Sequence, residues 1–457
     1  MECAISLRKT YWAVVGMLTF VLASQPGLSA EDAQWFRGQL HCHSYWSDGR
    51  GFPEQTIAAY KDRGYQFVCI TDHNRFAGNP EKWREVVEEE GGWPPNVSQA
   101  IFNAYVETYG QEWVETRAER KNNKTITHVR LKTHEELKAR FEERGEFLLL
   151  PGVEITQTVN GLGLHTNYIN LPLILPCIED TWLIKTIKGP SVSDVIALNA
   201  SEAKRAAAQL GVPHIFMLNH PFWVYYDIVP QDLIERPEVR FFEIGKGGFD
   251  YFHAHPKAPD YTVDKFWDIV NAFRRIRGHP FLYGVGSDDA HFYDPERINV
   301  HGGADVGWVM VRANALTAED VIAAMHRGDF YSSTGVYLQD VAFDPTAKTL
   351  RVKVKAEKGV NYRIHFITTK KHFNQDVVEV ESPAGEGHPA RTIPVYSDDI
   401  GRTVKTVTWV EGVYRMDPDD LYVRARVESD VPRIVRNPFH PKVKMAWTQP
   451  YSSSGRP

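Results

Sequence analysis

The chain has 457 residues, 43% of them hydrophobic and 24% charged, enough to bury a large core in two or three domains. Its 52 Lys and Arg against 58 Asp and Glu leave a net charge of −6. That balance excludes a nonspecific nucleic-acid binder, which needs surplus cations to release phosphate counterions, so no stable nucleic-acid partner is expected.

In chain order, Arg8 and Lys9 precede an apolar run from Tyr11 to Ala23, and small residues follow up to Leu28-Ser29-Ala30. Positive, apolar and small segments in that order read as a secretory signal over residues 1–30, cut after Ala30. The run is shorter than the roughly 20 residues that span a bilayer, so an exported protein (periplasmic or extracellular) without a permanent membrane span is expected. The remaining cysteines, Cys42, Cys69 and Cys177, are odd in number and form no disulfide framework; Cys42 and Cys69 fall in apolar runs and read as small buried hydrophobes.

From residue 31 to 335 strands alternate with helices. A first strand ends at Leu40 to His43, Pro53 opens a helix that Gly64 closes, and Phe67 to Ile70 is a buried strand. Thr133 and Glu136 form a capping pair before a helix, and Phe147 to Leu150 is the next strand. Further strands are predicted at His165–Ile169, Ile215–Leu218, Phe241–Ile244 and Phe281–Val285, with helices at Ser193–Leu210, Val263–Arg277 and Thr317–His326. Continuous apolar strands separated by helices imply an α/β domain with a parallel sheet covered on both faces, open or closed into a barrel. Residues 75–132 break the alternation and read as an inserted subdomain or lid. From 336 to 457 the period becomes two: Leu350, Val352 and Val354 alternate with Arg351, Lys353 and Lys355, and Leu421, Val423 and Ala425 with Tyr422, Arg424 and Arg426. This predicts a small antiparallel β-sandwich.

Chemistry collects where these strands end. His41-Cys42-His43 and Ser47-Asp48-Gly49 close the first, Thr71-Asp72-His73-Asn74 the second, and Pro151-Gly152-Val153-Glu154 the third. His165 follows a glycine turn, Asn219-His220-Pro221 ends a later strand, and Ser287-Asp288-Asp289-Ala290-His291 ends the last. A single strand-end histidine is ordinarily structural, but independent structural histidines would not gather at one end of a sheet, where parallel barrels place their active sites. Imidazole and carboxylate without thiolate suit Zn, Mn or Fe. The donors outnumber what one ion takes, so two or three divalent ions are expected, with a carboxylate bridging a pair and a hydroxide held between them for hydrolysis.

The six motifs, in this order, resemble the polymerase-and-histidinol-phosphatase (PHP) superfamily over residues 35 to 335. The secretory start, the segment Gly328-Asp329-Phe330-Tyr331-Ser332-Ser333-Thr334-Gly335 and the trailing sandwich look like its carbaryl-hydrolase-like (CehA/McbA) branch. The resemblance implies a distorted (β/α)7 TIM-like barrel with a trinuclear site. His41, His43, Glu154 and Asp289 would hold one metal, and Glu154 would bridge to a second completed by His165 and His220. Asp48, His73 and His291 would hold a third. His128 or His134 could replace His165 if the insertion folds back. Glu154 and Asp72 are the acids expected to serve catalysis, Asp72 by orienting its neighbouring ligand. Arg50, Arg75 and Lys246 follow strand-end motifs and are candidate contacts for an anionic substrate. His253 and His255, in a Pro-rich loop, read as lid or surface residues.

The functions these residues support are hydrolysis of a small phosphoester and, with the same metals, hydrolysis of a carboxylic or carbamic ester or amide. A noncatalytic extracellular binding module would show missing ligands, and none is missing.

Overall fold

The computed structural model describes residues 33–456, apart from residues 90, 93 and 122 and segments 173–184, 222–226, 245–261, 298–301, 386–388 and 434–441. The expected signal sequence, Cys177, Lys246, His253 and His255 lie outside the described residues. Among the described residues, no helix is long and apolar enough to cross a membrane.

The first strand, Gln34–Gln39, lies parallel to Phe67–Cys69, which lies parallel to Leu148–Leu150. Helix Pro53–Lys61 makes the first crossover, with Pro at a position where its missing N–H costs nothing. The strands approach closely at Gly38, where a Cβ would fall 1.9 Å from the Phe67 ring. Helix His134–Phe141 starts with the capping box of Thr133 and Glu136. Helices Val192–Leu210, Val263–Ile276 and Ala318–Arg327 follow within a residue or so of their expected ends.

The architecture is mixed α/β, and it departs from the expected closed seven-stranded barrel. Two open sheets share the strands. One has nine, in the order Arg402–Val407, Tyr362–Thr368, Arg424–Pro432, Val443–Thr448, Phe330–Ser333, Trp308–Ala313, Gln34–Gln39, Phe67–Cys69, Leu148–Leu150. The other has six: Lys185–Ile187, Gly152–Val159, Leu162–Ile169, Ile215–Leu218, Phe241–Ile244 and Tyr283–Gly286. The sheets separate at Pro151, which has no N–H to donate and lies where the chain leaves one sheet for the other. An isolated bridge, His73 with Glu154, spans that gap. The Asn74 amide extends it by exchanging two hydrogen bonds with the Thr156 backbone, at 3.0 and 2.9 Å. At the opposite gap an isolated bridge, Cys42 with Ala290, joins the strand ends, and beside it side chains replace the ladder. Ser332 Oγ accepts from Gly286 N–H and donates to the Gly284 carbonyl, and the Gln449 amide exchanges bonds with Gly284.

The parallel expectation also needs correction. Gly152–Val159 and Leu162–Ile169 form an antiparallel hairpin whose turn residues, Asn160 and Gly161, have φ of 52° and 89°. Positive φ at both central residues is what a two-residue hairpin turn requires.

Between residues 75 and 132 lies a four-stranded sheet with helix Gln99–Tyr109. It is tied to the first crossover through Phe52, stacked on Tyr105 at 3.7 Å, and through buried Glu54, which accepts from Tyr105 Oη and Trp113 Nε1. Arg84 reaches from this sheet to the carbonyls of Tyr45 and Ser47.

In the C-terminal region Leu338–Asp344, Thr349–Val354 and Glu411–Arg415 form a three-stranded sheet. The other long strands continue the nine-stranded sheet, through Tyr331 paired with Thr448. Arg424 on one of them is fully buried, where period-two reading puts a half-exposed polar face. It pairs with Asp268 at 2.8 and 2.6 Å and with Asp264 at 2.8 Å, both on helix Val263–Ile276, and Tyr422 Oη donates to Asp268. Of the C-terminal aromatics, Tyr414, Trp447 and Tyr451 are packed inside and Trp409 is exposed.

Candidate metal centre

Each strand end delivers its donor by local backbone geometry. Alternation along the chain sends His41 and His43 to one side, and Cys42 packs in the core on the other. Asn74 and Asp289 adopt left-handed φ values of 50° and 52°, turning the chain sharply beside His73 and at the last strand end. Asp288, immediately before Asp289, accepts backbone N–H groups from Asp305, Val306 and Gly307 and the Tyr60 hydroxyl, all within 2.9 Å. That anchor fixes the turn carrying Asp289.

All nine expected ligands converge. His41 Nε2 lies 3.3 Å from Glu154 Oε1, 3.2 Å from Asp289 Oδ1 and 3.3 Å from His43 Nε2. His43 Nε2 is 3.0 Å from Asp289 Oδ1. Asp48 Oδ1 lies 3.5 Å from His73 Nε2 and 3.4 Å from His291 Nε2, with His43 Nδ1 at 4.0 Å. Glu154 stands at the centre and divides the imidazoles. Its Oε1 faces His41, His165 (3.2 Å) and His220 (3.5 Å), and its Oε2 faces His73 (2.7 Å) and His43 (3.5 Å). Every one of these side chains is buried or nearly so.

Around His41 Nε2 the spacing fits metal coordination. Zn–N and Zn–O bonds of about 2.0–2.1 Å in a tetrahedron put ligand atoms about 3.3 Å apart. The donors around His41 Nε2 have that separation. Asp48 Oδ1 and Glu154 Oε2 are buried among imidazole nitrogens, yet neither accepts a hydrogen bond of good geometry. Oxygens so placed leave a costly unsatisfied charge unless a cation takes it.

The field agrees. Burial opposes charge on Asp48 and Glu154, but His73 and His291 around the first, and His73, His41 and His165 around the second, hold both carboxyls well below the usual range. Against burial, Asp48 and Glu154 raise His73 to about 10, and Asp289, Glu243 and Glu154 raise His41 well above the ordinary imidazole range. Burial pushes His43 down to about 3 and His165 to about 4, which leaves them neutral and able to ligate. A field that draws a proton onto His41 and His73 draws a divalent cation more strongly.

The remaining candidates stand apart. His128 lies beside Glu119 at 3.9 Å and His134 packs near Phe76, so among the described residues neither enters a donor cluster and His165 does. Asp72, expected to serve catalysis, is not in a donor cluster either. Its carboxylate accepts from the N–H and hydroxyl groups of Ser44 and Ser47, which shapes the loop between His43 and Asp48. Burial, opposed by those bonds, raises Asp72 to about 6. Asp72→Ala removes that shared acceptor and is expected to cost about 1–3 kcal/mol. Urea unfolding checks this, and a change under about 0.5 kcal/mol would leave the loop anchored some other way. Arg75 is buried beside Arg84. Arg50 is exposed, its N–H on the His291 carbonyl and its guanidinium over Phe292.

Sequence reading assigned no role to four side chains that hold the donors in place. Asn219 donates to Glu154 Oε1 at 2.7 Å and to Asn167, which in turn donates to the Leu40 carbonyl. Gln39 accepts from the N–H groups of Leu40, His41 and Asp288. Glu243, an acid inside the apolar run Phe241–Ile244, lies 2.7 Å from His41 Nδ1. A charge within a buried strand was the available signal for it.

Frame and site together define a mixed α/β protein with a buried cluster of imidazoles and carboxylates suited to several cations. No family model matches the chain, and no curated protein does. Several solved structures overlap it, among them the following three. A two-domain protein from Bacteroides vulgatus, containing a predicted PHP-like metal-dependent phosphoesterase, is 12% identical with a TM-score of 0.37, over 96% of this chain and 99% of that one. A protein from Bifidobacterium adolescentis provisionally named a metal-dependent phosphoesterase is 13% identical (TM-score 0.26; 56% of this chain, 89% of that one). An amidohydrolase from Chromobacterium violaceum, with bound sulfate and no metal, is 11% identical (TM-score 0.26; 56% of this chain, 87% of that one). Overlap this loose says nothing of chemistry.

Proposed function

We propose that this chain is an exported metal-dependent hydrolase of the PHP type, in its carbaryl-hydrolase-like branch, and that it cleaves a small phosphoester. The observation that carries the reading is Glu154, whose two oxygens face separate sets of imidazoles in a buried pocket of ligand spacing. His41, His43, Glu154 and Asp289 would hold one ion, Glu154 with His165 and His220 a second, and Asp48, His73 and His291 a third. Zinc, manganese or iron held there would supply Lewis acidity and an activated water at neutral pH. The protein's own part is positional. Glu154 keeps two imidazole sets at fixed separation, Asp48 and Asp289 supply negative charge, and Asn219 and Asp72 keep ligands and loop from relaxing. Arg50, exposed and held by its N–H to the carbonyl of the ligand His291, would meet an anionic ester. Export rests on the order of charge, apolar run and small residues before Ala30.

The test is a substrate panel on protein loaded separately with zinc, manganese and iron, with His43→Ala as control. Aryl phosphate mono- or diesters turned over well above the control are the expected result. Faster cleavage of a naphthyl carbamate or acetate than of any phosphate would move the assignment to carboxyl and carbamic esters at the same site. No turnover of either class would overturn the hydrolase reading.

A further inference from the structure

We infer that Glu243 is a positioning residue that joins two ligands from different strands into one unit and fixes which nitrogen of His41 faces the ions; this rests on the metal-centre reading above. Glu243 is buried within strand Phe241–Ile244, at the middle of three neighbouring strand ends. Its Oε1 lies 2.7 Å from His41 Nδ1, and its Oε2 accepts the His220 backbone N–H at 2.8 Å. Ser287, just past the end of Tyr283–Gly286 and two residues before Asp289, donates its hydroxyl to Oε1.

An ionised carboxylate only accepts, so the proton between it and His41 belongs on Nδ1. His41 Nε2 is then left with its lone pair, and that atom is the one facing Glu154, Asp289 and His43. A carboxylate behind a ligating imidazole fixes ring orientation and raises its basicity. Here the second oxygen also holds the main chain at His220, a ligand facing Glu154 from another strand. Moving one ligand therefore disturbs the other.

Glu243→Gln keeps the shape and reverses this logic. The glutamine has one acceptor and one donor end. If the acceptor stays on His220 N–H, the NH2 group donates to His41 Nδ1, which must give up its proton. The ring proton then moves to Nε2 and blocks the ligating atom.

The test is equilibrium titration of zinc into full-length wild type and Glu243→Gln against a competing chelator, with urea unfolding of both metal-free proteins. Wild type should bind, and Glu243→Gln should bind about 10–100-fold more weakly in at least one site. Equal affinities would overturn the inference and leave the metal centre standing. Failure of wild type to bind would overturn both. Should Glu243→Gln fail to fold, nitrogen-15 spectra of histidine-labelled, zinc-loaded wild type decide the matter: a proton on His41 Nδ1 is expected, and one on Nε2 contradicts it.

Discussion

Replacing Glu154 by glutamine is expected to abolish ion uptake at the shared position and to reduce hydrolysis to the level of His43→Ala. Glu154 has no surface exposure, and its two oxygens face five imidazoles. Glutamine keeps one acceptor and turns an NH2 group toward the other set, where it can hold no cation. Loss of an outer partner such as Glu243 costs about 10–100-fold in affinity, and loss of the central ligand should exceed that range. The measurement is zinc or manganese affinity by chelator competition, paired with turnover of whichever ester the panel identifies. Wild-type affinity in Glu154→Gln would remove Glu154 from the ligand set. Asp48→Asn provides the comparison, since its oxygen faces His73 and His291 and its loss should weaken one position while sparing the one around His41.

The second large effect is structural. Asp268→Ala is expected to destabilise the protein by about 3–5 kcal/mol, because it strands a buried guanidinium. Arg424 is fully buried, lies over Trp267 at 4.6 Å, and keeps only Asp264 when Asp268 is gone. Tyr422 Oη also loses this acceptor and keeps Thr369 Oγ1 at 2.9 Å. This cluster fastens the C-terminal strand Arg424–Pro432 to helix Val263–Ile276, which packs behind the six-stranded sheet. The double substitution Asp268→Leu with Arg424→Met should recover part of the loss, since it removes two of the three desolvated charges and leaves Asp264 to Arg426 and Trp447. Urea midpoints at a constant slope check the pair of variants. A loss below about 1 kcal/mol for Asp268→Ala would mean that water reaches Arg424.

The same two regions show what could be read from the chain and what could not. Most donors were legible because they follow the end of an apolar run, where a His, Asp or Glu has few other reasons to be; His165, inside strand Leu162–Ile169, carried the weakest such signal. Their partners were less so. Asn219 was noted beside His220, but that its amide donates to Glu154 depends on a strand 65 residues away. Glu243 carried a signal, an acid between Phe242 and Ile244, whose meaning depends on where His41 lies. The hairpin at Asn160-Gly161 could have been foreseen from its turn chemistry, and with it the antiparallel strand that ends the parallel pattern. The gaps between the sheets could not, because each keeps a single backbone bridge and Ser332, Gln449 and Asn74 supply the rest through side-chain bonds that no periodicity records. Arg424 is the plainest case. Alternation with Val423 and Ala425 reads as a polar outer face, and only the helix packed against that face turns it into an interior.

Anomalous X-ray scattering from crystals grown with manganese or zinc tests the central claim most directly. Peaks are expected beside Glu154, within ligand distance of His41, His43 and Asp289, and again among Asp48, His73 and His291. Protein that binds no ion under those conditions, or binds it only away from Glu154, would contradict the metal centre and with it the hydrolase.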